Sequence, residues 1–294
     1  MAGVTRFAPS PTGPLHLGHA FAALVAAERG DRFLLRIEDI DNARCKAMWV
    51  SAIFNDLQWL GLQWEVPVLR QSDRLQHYRA AVDRLLAMGM AYACTCTRAD
   101  IRAALSAPQG PDGPVYPGTC RGKGHRADGA AIRLDMAAAM HRLGRVAFDE
   151  TGATHAGRHV FGAELALSVG DVVLARRDIG TSYHVAVVVD DAAQGITEVT
   201  RGEDLFGATV IHVILQRLLE LPTPRYHHHR LIRDGDGQRL AKRDDARALS
   251  LYRAEGATPA DIRAIMELPP GRAQGGVQCA AVPGRGRPRP TSGA

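Results

Sequence analysis

Apolar residues along the first ninety positions follow two alternating patterns. Short segments at 4–8 and 32–37, apolar except for Thr5 and three arginines, have the length of strands, and the second is predicted to be buried. Three further segments repeat apolar residues at helical spacing, at 20–29, 49–60 and 73–88, and the first two end at Gly30 and Gly61. Since strands that alternate with helices favour parallel pairing, the pattern predicts an α/β fold with a doubly wound parallel sheet.

The alternation breaks after residue 92 and resumes near residue 171. Turn-forming residues from Ala107 to Pro114 interrupt it, and short strands are predicted at 130–135 and 145–149. Later strands are predicted at 172–177, 196–201 and 226–232, with an apolar segment at 185–189 and a helix at 209–219. We therefore divide the chain into a first half of the sheet domain (1–92), an inserted subdomain (93–170), a second half (171–250) and a short C-terminal segment (251–294). The segment is expected to be disordered after residue 268, where Pro, Gly and Arg predominate.

The composition is that of a globular protein. Of its 294 residues, 46% are hydrophobic and 23% are charged, which is enough for a sizeable core in one or two domains. No stretch approaches the ~18 apolar residues of a membrane span, and the N-terminus has no apolar leader. We expect a cytoplasmic protein that does not bind membranes. The formal net charge of +5 is compatible with a polyanionic partner.

The stretch from Phe7 to His19 joins the first predicted strand to the first helix and reads Phe-Ala-Pro-Ser-Pro-Thr-Gly-Pro-Leu-His-Leu-Gly-His. A helix N-terminus offers unpaired N–H groups to a phosphate, Gly18 allows close approach of a ligand, and His16 and His19 share one helical face. A Pro- and Gly-rich turn with capping histidines is the plain alternative. The whole run resembles the "HIGH" signature of class I aminoacyl-tRNA synthetases in its glutamyl form. That resemblance implies a Rossmann-like catalytic domain in which His16, Gly18 and His19 bind ATP.

A second basic segment resembles the "KMSKS" loop of the same family. Asp234 to Gly237 predicts a tight turn, and Arg239-Leu-Ala-Lys-Arg-Asp follows it. Lys242 matches the second lysine of the loop, and Arg239 replaces the first. Cations suit this place because charge builds on the phosphoryl oxygens when a carboxylate attacks the α-phosphate of ATP. The resemblance makes Lys242 a catalytic and ATP-binding residue; a solvated basic loop is the alternative.

A glutamate substrate brings two carboxylates and one ammonium group, which arginines and acidic or hydroxyl groups match. Six residues resemble the substrate contacts of the family: Arg6, Ala8, Ser10, Glu38, Tyr183 and Arg201. Arg6, Ala8 and Ser10 belong to Arg-Phe-Ala-Pro-Ser, and Glu38 belongs to Arg-Ile-Glu-Asp. Tyr183 directly precedes His-Val-Ala-Val, and Arg201 directly precedes Gly-Glu-Asp. Surface salt bridges for the arginines and a core tyrosine are the alternatives.

The five cysteines are odd in number, and three of them lie close together, which fits a metal in a reducing compartment better than disulfides. Cys94, Cys96 and Cys120 could supply three thiolates to a closed tetrahedral zinc site, which needs a fourth ligand. Tyr116 in that place resembles the zinc site of the glutamyl-Q tRNA(Asp) synthetases, and His125 is the second candidate. We expect one structural Zn²⁺ in the inserted subdomain; three buried free cysteines are the alternative.

Three consecutive histidines, His227 to His229, lie in the last predicted strand. Because neighbouring side chains on a strand point to opposite faces, only the first and third could share a metal ion. A half-exposed strand explains them, and we predict no metal site there.

The resemblance covers about residues 4 to 250 and leaves no room for the helical anticodon-binding portion of a full glutamyl-tRNA synthetase. The chain therefore looks like the truncated glutamyl-Q tRNA(Asp) synthetases. These imply activation of glutamate with ATP and Mg²⁺ without tRNA, then transfer to the queuosine base in the anticodon of tRNA(Asp), by what we expect to be a monomer. Charging of a tRNA 3′ end, a non-catalytic RNA-binding zinc protein and another nucleotidyltransferase are the alternative functions.

Overall fold

A computed structural model of the chain describes residues 3–97, 99–100, 109–110, 113–232 and 247–271. Its strands are β1 (Val4–Phe7), β2 (Arg32–Ile37), β3 (Glu65–Arg70), β4 (Ala91–Cys94), β5 (Gln109–Gly110), β6 (Gly113–Pro114), β7 (Ala131–Leu134), β8 (Val146–Glu150), β9 (Gly157–Phe161), β10 (Val173–Ala175), β11 (Glu198–Gly202) and β12 (Arg225–His229). Its helices are α1 (Leu17–Arg29), α2 (Ala47–Trp59), α3 (Leu75–Ala87), α4 (Met136–Leu143), α5 (Leu165–Ser168), α6 (Tyr183–Ala193), α7 (Thr209–Leu218), α8 (Leu249–Ala254) and α9 (Pro259–Ile265).

The first seventy residues contain the predicted parallel strands. β2 pairs in parallel with β1 on one side and with β3 on the other. α1 ends at Arg29 and Gly30 follows it as the C-cap residue, while Gly61 has a positive φ of 78° after α2. The predicted strands at 4–8 and 32–37 and the three predicted helices are therefore confirmed, and no predicted end differs from the observed one by more than three residues.

A second group of strands continues the sheet. β11 pairs in parallel with β12, which pairs in parallel with β8, and β9 closes the edge antiparallel to β8. The Thr197 amide donates to the Val4 carbonyl at 3.0 Å, so the segment leading into β11 lies beside β1. The apolar segment at 185–189 lies inside α6. An α/β fold with a parallel sheet is thus confirmed.

A smaller antiparallel sheet has the order β10-β7-β4. The strands of this sheet lie on both sides of the predicted boundaries of the inserted subdomain, because β4 begins before residue 93 and β10 comes after residue 170, while both pair with β7. Conversely, β8 and β9 fall within 93–170 but belong to the large sheet, which β8 joins by pairing with β12. Sequence spacing showed the break in alternation but not the partner that each later strand would find.

Small side chains let α1 lie close against the sheet. Ala20, Ala23 and Ala26 are all at most 1% exposed, and the helix contacts β1, β2 and β11. This packing fixes where α1 begins, and so fixes the position of the signature histidines relative to the ends of the strands. In the described part of the chain, no helix has the length and apolar character needed to cross a membrane.

Candidate active site

The signature histidines build the start of α1. The His16 side chain caps the helix by accepting from the Gly18 amide at 3.1 Å, and His19 Nδ1 accepts from the His16 amide at 3.2 Å. Their ring centroids lie 3.8 Å apart. Both rings are thereby oriented on one side of the helix N-terminus, next to the backbone N–H groups that favour an anion.

The chain returns to this helix start from the far end of the sequence. Ala248 forms an antiparallel bridge with His16, and the Leu249 amide donates to the Leu15 carbonyl at 2.8 Å. Lys242, Arg239 and the predicted turn at 234–237 lie outside the described residues. The described residues before this gap end at Ile232, which is buried in the same core as α1. They begin again at Arg247, next to Ala248, which pairs with His16.

The loops after β1 and β2 meet at the carboxyl ends of the strands, where ligands bind in such sheets. The Glu38 amide donates to the Pro9 carbonyl at 3.0 Å. Ser10, Glu38 and Tyr183 line one cavity of about 420 Å³, and half-buried Ala8 stands two residues before Ser10. A second cleft of about 780 Å³, between α1, β3 and α9, contains none of the predicted site residues.

A cluster of buried charges lies behind this cavity. Asp191 on α6 accepts from Arg6 Nε at 2.9 Å and from Arg36 Nη1 at 2.7 Å, and Arg36 Nη2 donates to Glu38 at 3.0 Å. All four residues are at most 8% exposed. Burial alone would raise the pKa of Asp191, but the two guanidinium groups lower it below its ordinary value. Burial dominates at Glu38 and raises the pKa of its carboxyl despite Arg36.

Arg201 extends from β11 into the same region. Its Nε donates to His228 Nε2 at 3.1 Å, its Nη1 lies 2.9 Å from His212 Nδ1, and its Nη2 donates to Thr209 at 2.5 Å. Arg201 is 6% exposed and Arg6 is 5% exposed, so neither forms the surface salt bridge that was the plain alternative. Arg6 also donates to the carbonyl of Thr200, directly before Arg201.

Tyr183 opens α6 directly after the N-cap residue Ser182. Its ring centroid lies 5.6 Å from that of His212. Burial raises the pKa of its hydroxyl above the ordinary value, although the charge of Arg201 opposes this shift. The cavity wall therefore offers the Tyr183 hydroxyl, the Glu38 and Asp41 carboxylates and the guanidinium groups of Arg44 and Arg176, whereas Arg6 and Arg201 do not line it. Such groups can bind carboxylates and an ammonium group.

The three clustered cysteines converge as predicted. The ligand atoms of Cys94, Cys96 and Cys120 all lie within 4.8 Å of one another. The Tyr116 hydroxyl lies 3.4 Å from Cys94 Sγ and 3.3 Å from Cys96 Sγ, and accepts from the Cys120 amide at 3.0 Å. His125 is exposed and does not belong to this group. Tetrahedral zinc with Zn–S bonds near 2.3 Å places sulfur atoms about 3.8 Å apart, so these donors fit the ion.

The histidine run is more buried than the sequence predicted. His227 is half-buried, whereas His228 and His229 are 2% and 8% exposed. His228 contacts the Glu150 carboxylate through Nδ1, and His227 lies 3.0 Å from the Thr151 hydroxyl. The expected half-exposed strand is wrong for His228 and His229 because β12 lies between β11 and β8 inside the sheet.

Sequence reasoning missed three residues of this site, namely Arg36, Asp191 and His212. One signal was available: Arg36 interrupts an apolar strand, and a buried arginine requires an acidic partner. Asp191 follows the apolar segment at 185–189, for which the sequence pattern did not predict a helix. His212 carried no signal, because only the packing of α7 on α6 brings it to Arg201.

Comparisons with known proteins agree with this geometry. Residues 3–269 match the family described as tRNA synthetases class I (E and Q), catalytic domain. Glutamyl-Q tRNA(Asp) synthetase from Rhodobacter capsulatus is 60% identical over 282 residues, which cover 90% of this chain and 100% of that protein. The protein of the same name from Nocardia farcinica is 43% identical over 286 residues, covering 92% of this chain and 86% of its own length.

Solved structures show the same fold. A glutamate tRNA ligase from Elizabethkingia meningosepticum in complex with its amino acid superposes with a TM-score of 0.69 at 26% identity, covering 90% of this chain. The chain spans 60% of the length of that ligase.

Proposed function

Because this chain belongs to the glutamate and glutamine family of class I tRNA synthetases, we propose that it activates L-glutamate with ATP and transfers it to the queuosine base of tRNA(Asp). The observation that carries this proposal is the cavity lined by Ser10, Glu38 and Tyr183. Buried ion pairs connect its Glu38 through Arg36 and Asp191 to Arg6, which also donates to the carbonyl next to Arg201.

In the first step a carboxylate oxygen of glutamate attacks the α-phosphorus of ATP. The new P–O bond forms as the bond to the β-phosphate oxygen breaks, so the products are glutamyl adenylate and pyrophosphate. His16, Gly18 and His19 hold the phosphates at the start of α1, where the N–H groups and the helix dipole stabilise the growing negative charge. Mg²⁺ enters with ATP as part of the substrate.

Lys242 has the role of a second cationic group for the triphosphate. The support for this role is the course of the chain, which reappears at Ala248 hydrogen-bonded beside His16, six residues after Lys242. A lysine ammonium near the α-phosphate stabilises charge that exists mainly in the transition state.

The glutamate contacts divide by charge. The N–H groups of Arg6 and Arg201 that remain beside their protein partners suit the carboxylate groups, and the Glu38 carboxylate suits the ammonium group. Ser10 and Tyr183 offer hydroxyls at the cavity wall, and Ala8 keeps the loop close to the substrate because its side chain is small. In the second step a hydroxyl of the modified base attacks the acyl carbon, and AMP leaves.

Zn²⁺ belongs with Cys94, Cys96, Tyr116 and Cys120. The support is the donor set itself, three thiols and a phenol oxygen within bonding range of a common centre. A closed site of four protein ligands stabilises the surrounding loops and leaves no position for a substrate. The segment from 93 to 170, in which these residues lie, is the proposed inserted subdomain.

Two measurements test the proposal. Exchange of labelled pyrophosphate into ATP should require glutamate, proceed without tRNA and fail with aspartate or glutamine. Mass spectrometry of tRNA(Asp), with and without queuosine, should then show glutamate only on the modified base. Absence of exchange would refute the ligase function, whereas glutamate at the 3′ end would replace it with ordinary charging.

A further inference from the structure

The guanidinium group of Arg201 is held on three sides within the protein. His228 accepts from Nε at 3.1 Å, His212 Nδ1 lies 2.9 Å from Nη1, and Thr209 accepts from Nη2 at 2.5 Å. A guanidinium group has five N–H donors. Among the residues that the structure describes, three are used by these neighbours, which leaves two for a carboxylate of the substrate.

Each histidine must present a lone pair to Arg201, because a guanidinium group only donates. A neutral imidazole has one accepting nitrogen, so the other nitrogen of each ring carries the proton. In His228 that proton lies on Nδ1, which contacts Glu150. In His212 it lies on Nε2, which is 3.0 Å from His184 Nδ1. A positively charged ring in either place would oppose Arg201.

The surroundings favour neutral rings. Burial, followed by the charge of Arg201, lowers the pKa of His212 well below its ordinary value. The same two causes lower the pKa of His228 to about 4, although Glu150 opposes them. Both imidazoles are therefore neutral at physiological pH.

Glu150 is oriented as firmly as the ring that it contacts. Its Oε1 accepts from the His228 amide at 2.9 Å and from the Gly152 amide at 2.6 Å, which leaves Oε2 facing His228 Nδ1. Glu150 ends β8, and its partner across the ladder is Tyr226 of β12. The central sheet thus fixes the carboxylate, the carboxylate fixes the tautomer of His228, and His228 fixes one edge of Arg201.

We propose that His228, oriented by Glu150, and His212, oriented by His184, are positioning residues that aim the two remaining N–H groups of Arg201 at a carboxylate of glutamate. The inference rests on the proposed function, since it takes Arg201 as a glutamate contact. His228, Glu150 and His212 do not line the cavity, whereas His184 lies at its wall.

Glu150→Gln gives the sharpest test because it changes one atom. The two backbone amides require an oxygen, so the glutamine NH₂ group must face His228 Nδ1. The His228 proton then moves to Nε2 and points at the Nε–H of Arg201. We expect the KM for glutamate in pyrophosphate exchange to rise about tenfold or more, because a charge-assisted hydrogen bond to Arg201 is lost. The KM for ATP should stay within twofold of that of the wild type. Nitrogen-15 spectra of labelled histidine should show the change of tautomer.

His212 provides an independent pair of variants. His212→Leu removes the acceptor and should raise the KM for glutamate alone. His212→Gln restores a carbonyl acceptor toward Arg201 and a donor toward His184, and should recover most of the affinity. His227→Leu is the matched control, since His227 neighbours His228 on β12 but contacts Thr151, and it should leave both KM values unchanged.

The outcomes separate this inference from the proposed function. If the wild type shows no glutamate-dependent exchange, the proposed function fails and the inference with it. If the wild type is active but Glu150→Gln and His212→Leu keep the wild-type KM for glutamate, only the positioning role is refuted. A parallel rise of both KM values would also refute it, because that result indicates general structural damage.

Discussion

The Asp191 carboxylate binds two buried guanidinium groups at once, through Arg6 Nε at 2.9 Å and Arg36 Nη1 at 2.7 Å. These three residues come from β1, β2 and α6, so the contact ties the first two strands to that helix near the cavity lined by Ser10, Glu38 and Tyr183. Arg36 is fully buried, which makes the neutrality of this cluster essential to the fold.

Asp191→Asn should therefore destabilise the protein strongly. It leaves the same volume but removes the charge that two buried arginines share, and we expect a loss of about 3–5 kcal/mol in the free energy of unfolding at pH 7. Urea denaturation measures this change. Asp149→Asn is the control: Asp149 pairs with Arg158 on the surface, so its loss should be at most about 1 kcal/mol. Equal effects at the two positions would contradict the assigned role.

His16 has two roles that one pair of variants can separate. Asparagine is a good N-cap residue, so His16→Asn should keep the stability of α1 while losing the imidazole and much of the exchange activity. His16→Ala should lose both, with a cost in unfolding free energy of about 0.5–2 kcal/mol for the missing cap. Thermal unfolding and pyrophosphate exchange measure the two effects. Full activity in His16→Asn would remove His16 from the ATP site.

Lys242→Ala should reduce pyrophosphate exchange by orders of magnitude, because its ammonium group stabilises charge in the transition state. The thermal unfolding midpoint should remain that of the wild type. Lys123→Ala is a matched loss of one exposed lysine and should keep full exchange activity. An unchanged rate in Lys242→Ala would refute its catalytic role.

The fourth zinc ligand can be decided by paired substitutions. Tyr116→Phe removes the phenol oxygen that lies beside the Cys94 and Cys96 thiols. It should lower the affinity for Zn²⁺ at least tenfold in a chelator competition, as the loss of a ligand or of its partner does at other metal sites. His125→Ala should leave the affinity unchanged, since His125 is exposed and lies apart from the thiols. The reverse pattern would assign His125 instead. Elemental analysis of the purified protein should find one zinc per chain.

Acid should destabilise the protein before most carboxylates titrate. His228 has its pKa lowered from 6.5 to about 4 in the fold by burial and by Arg201. The unfolded chain takes up this proton first, so stability present above pH 6.5 is lost as the pH falls toward 4, by about 3 kcal/mol for this group.

Urea unfolding at several pH values between 7 and 4.5 checks this prediction. His228→Gln should reduce the dependence of stability on pH and leave the part that belongs to His212, whose pKa is also lowered. His141→Gln, at an exposed position of α4, should keep the wild-type slope. A slope in His228→Gln equal to that of the wild type would assign the acid sensitivity to other groups.

The sequence by itself determined the local features of this protein. The spacing of apolar residues specified β1, α1, β2, α2 and α3, since these depend on neighbours a few positions apart. The Pro- and Gly-rich run before His16 marked the helix start, and the short Cys-x-Cys spacing brought two thiols together. The family's motifs then named Arg6, Glu38, Tyr183 and Arg201 as candidates for one pocket.

Only the tertiary structure decided which distant groups pair. β8 joined β12 instead of the small sheet, and that pairing placed Glu150 against His228. The packing of α7 and α6 brought His212 to Arg201, and that of α6 brought Asp191 to Arg6 and Arg36. Periodicity in one chain reports which face of an element is buried, but the partner buried against it depends on the free energy of the whole arrangement.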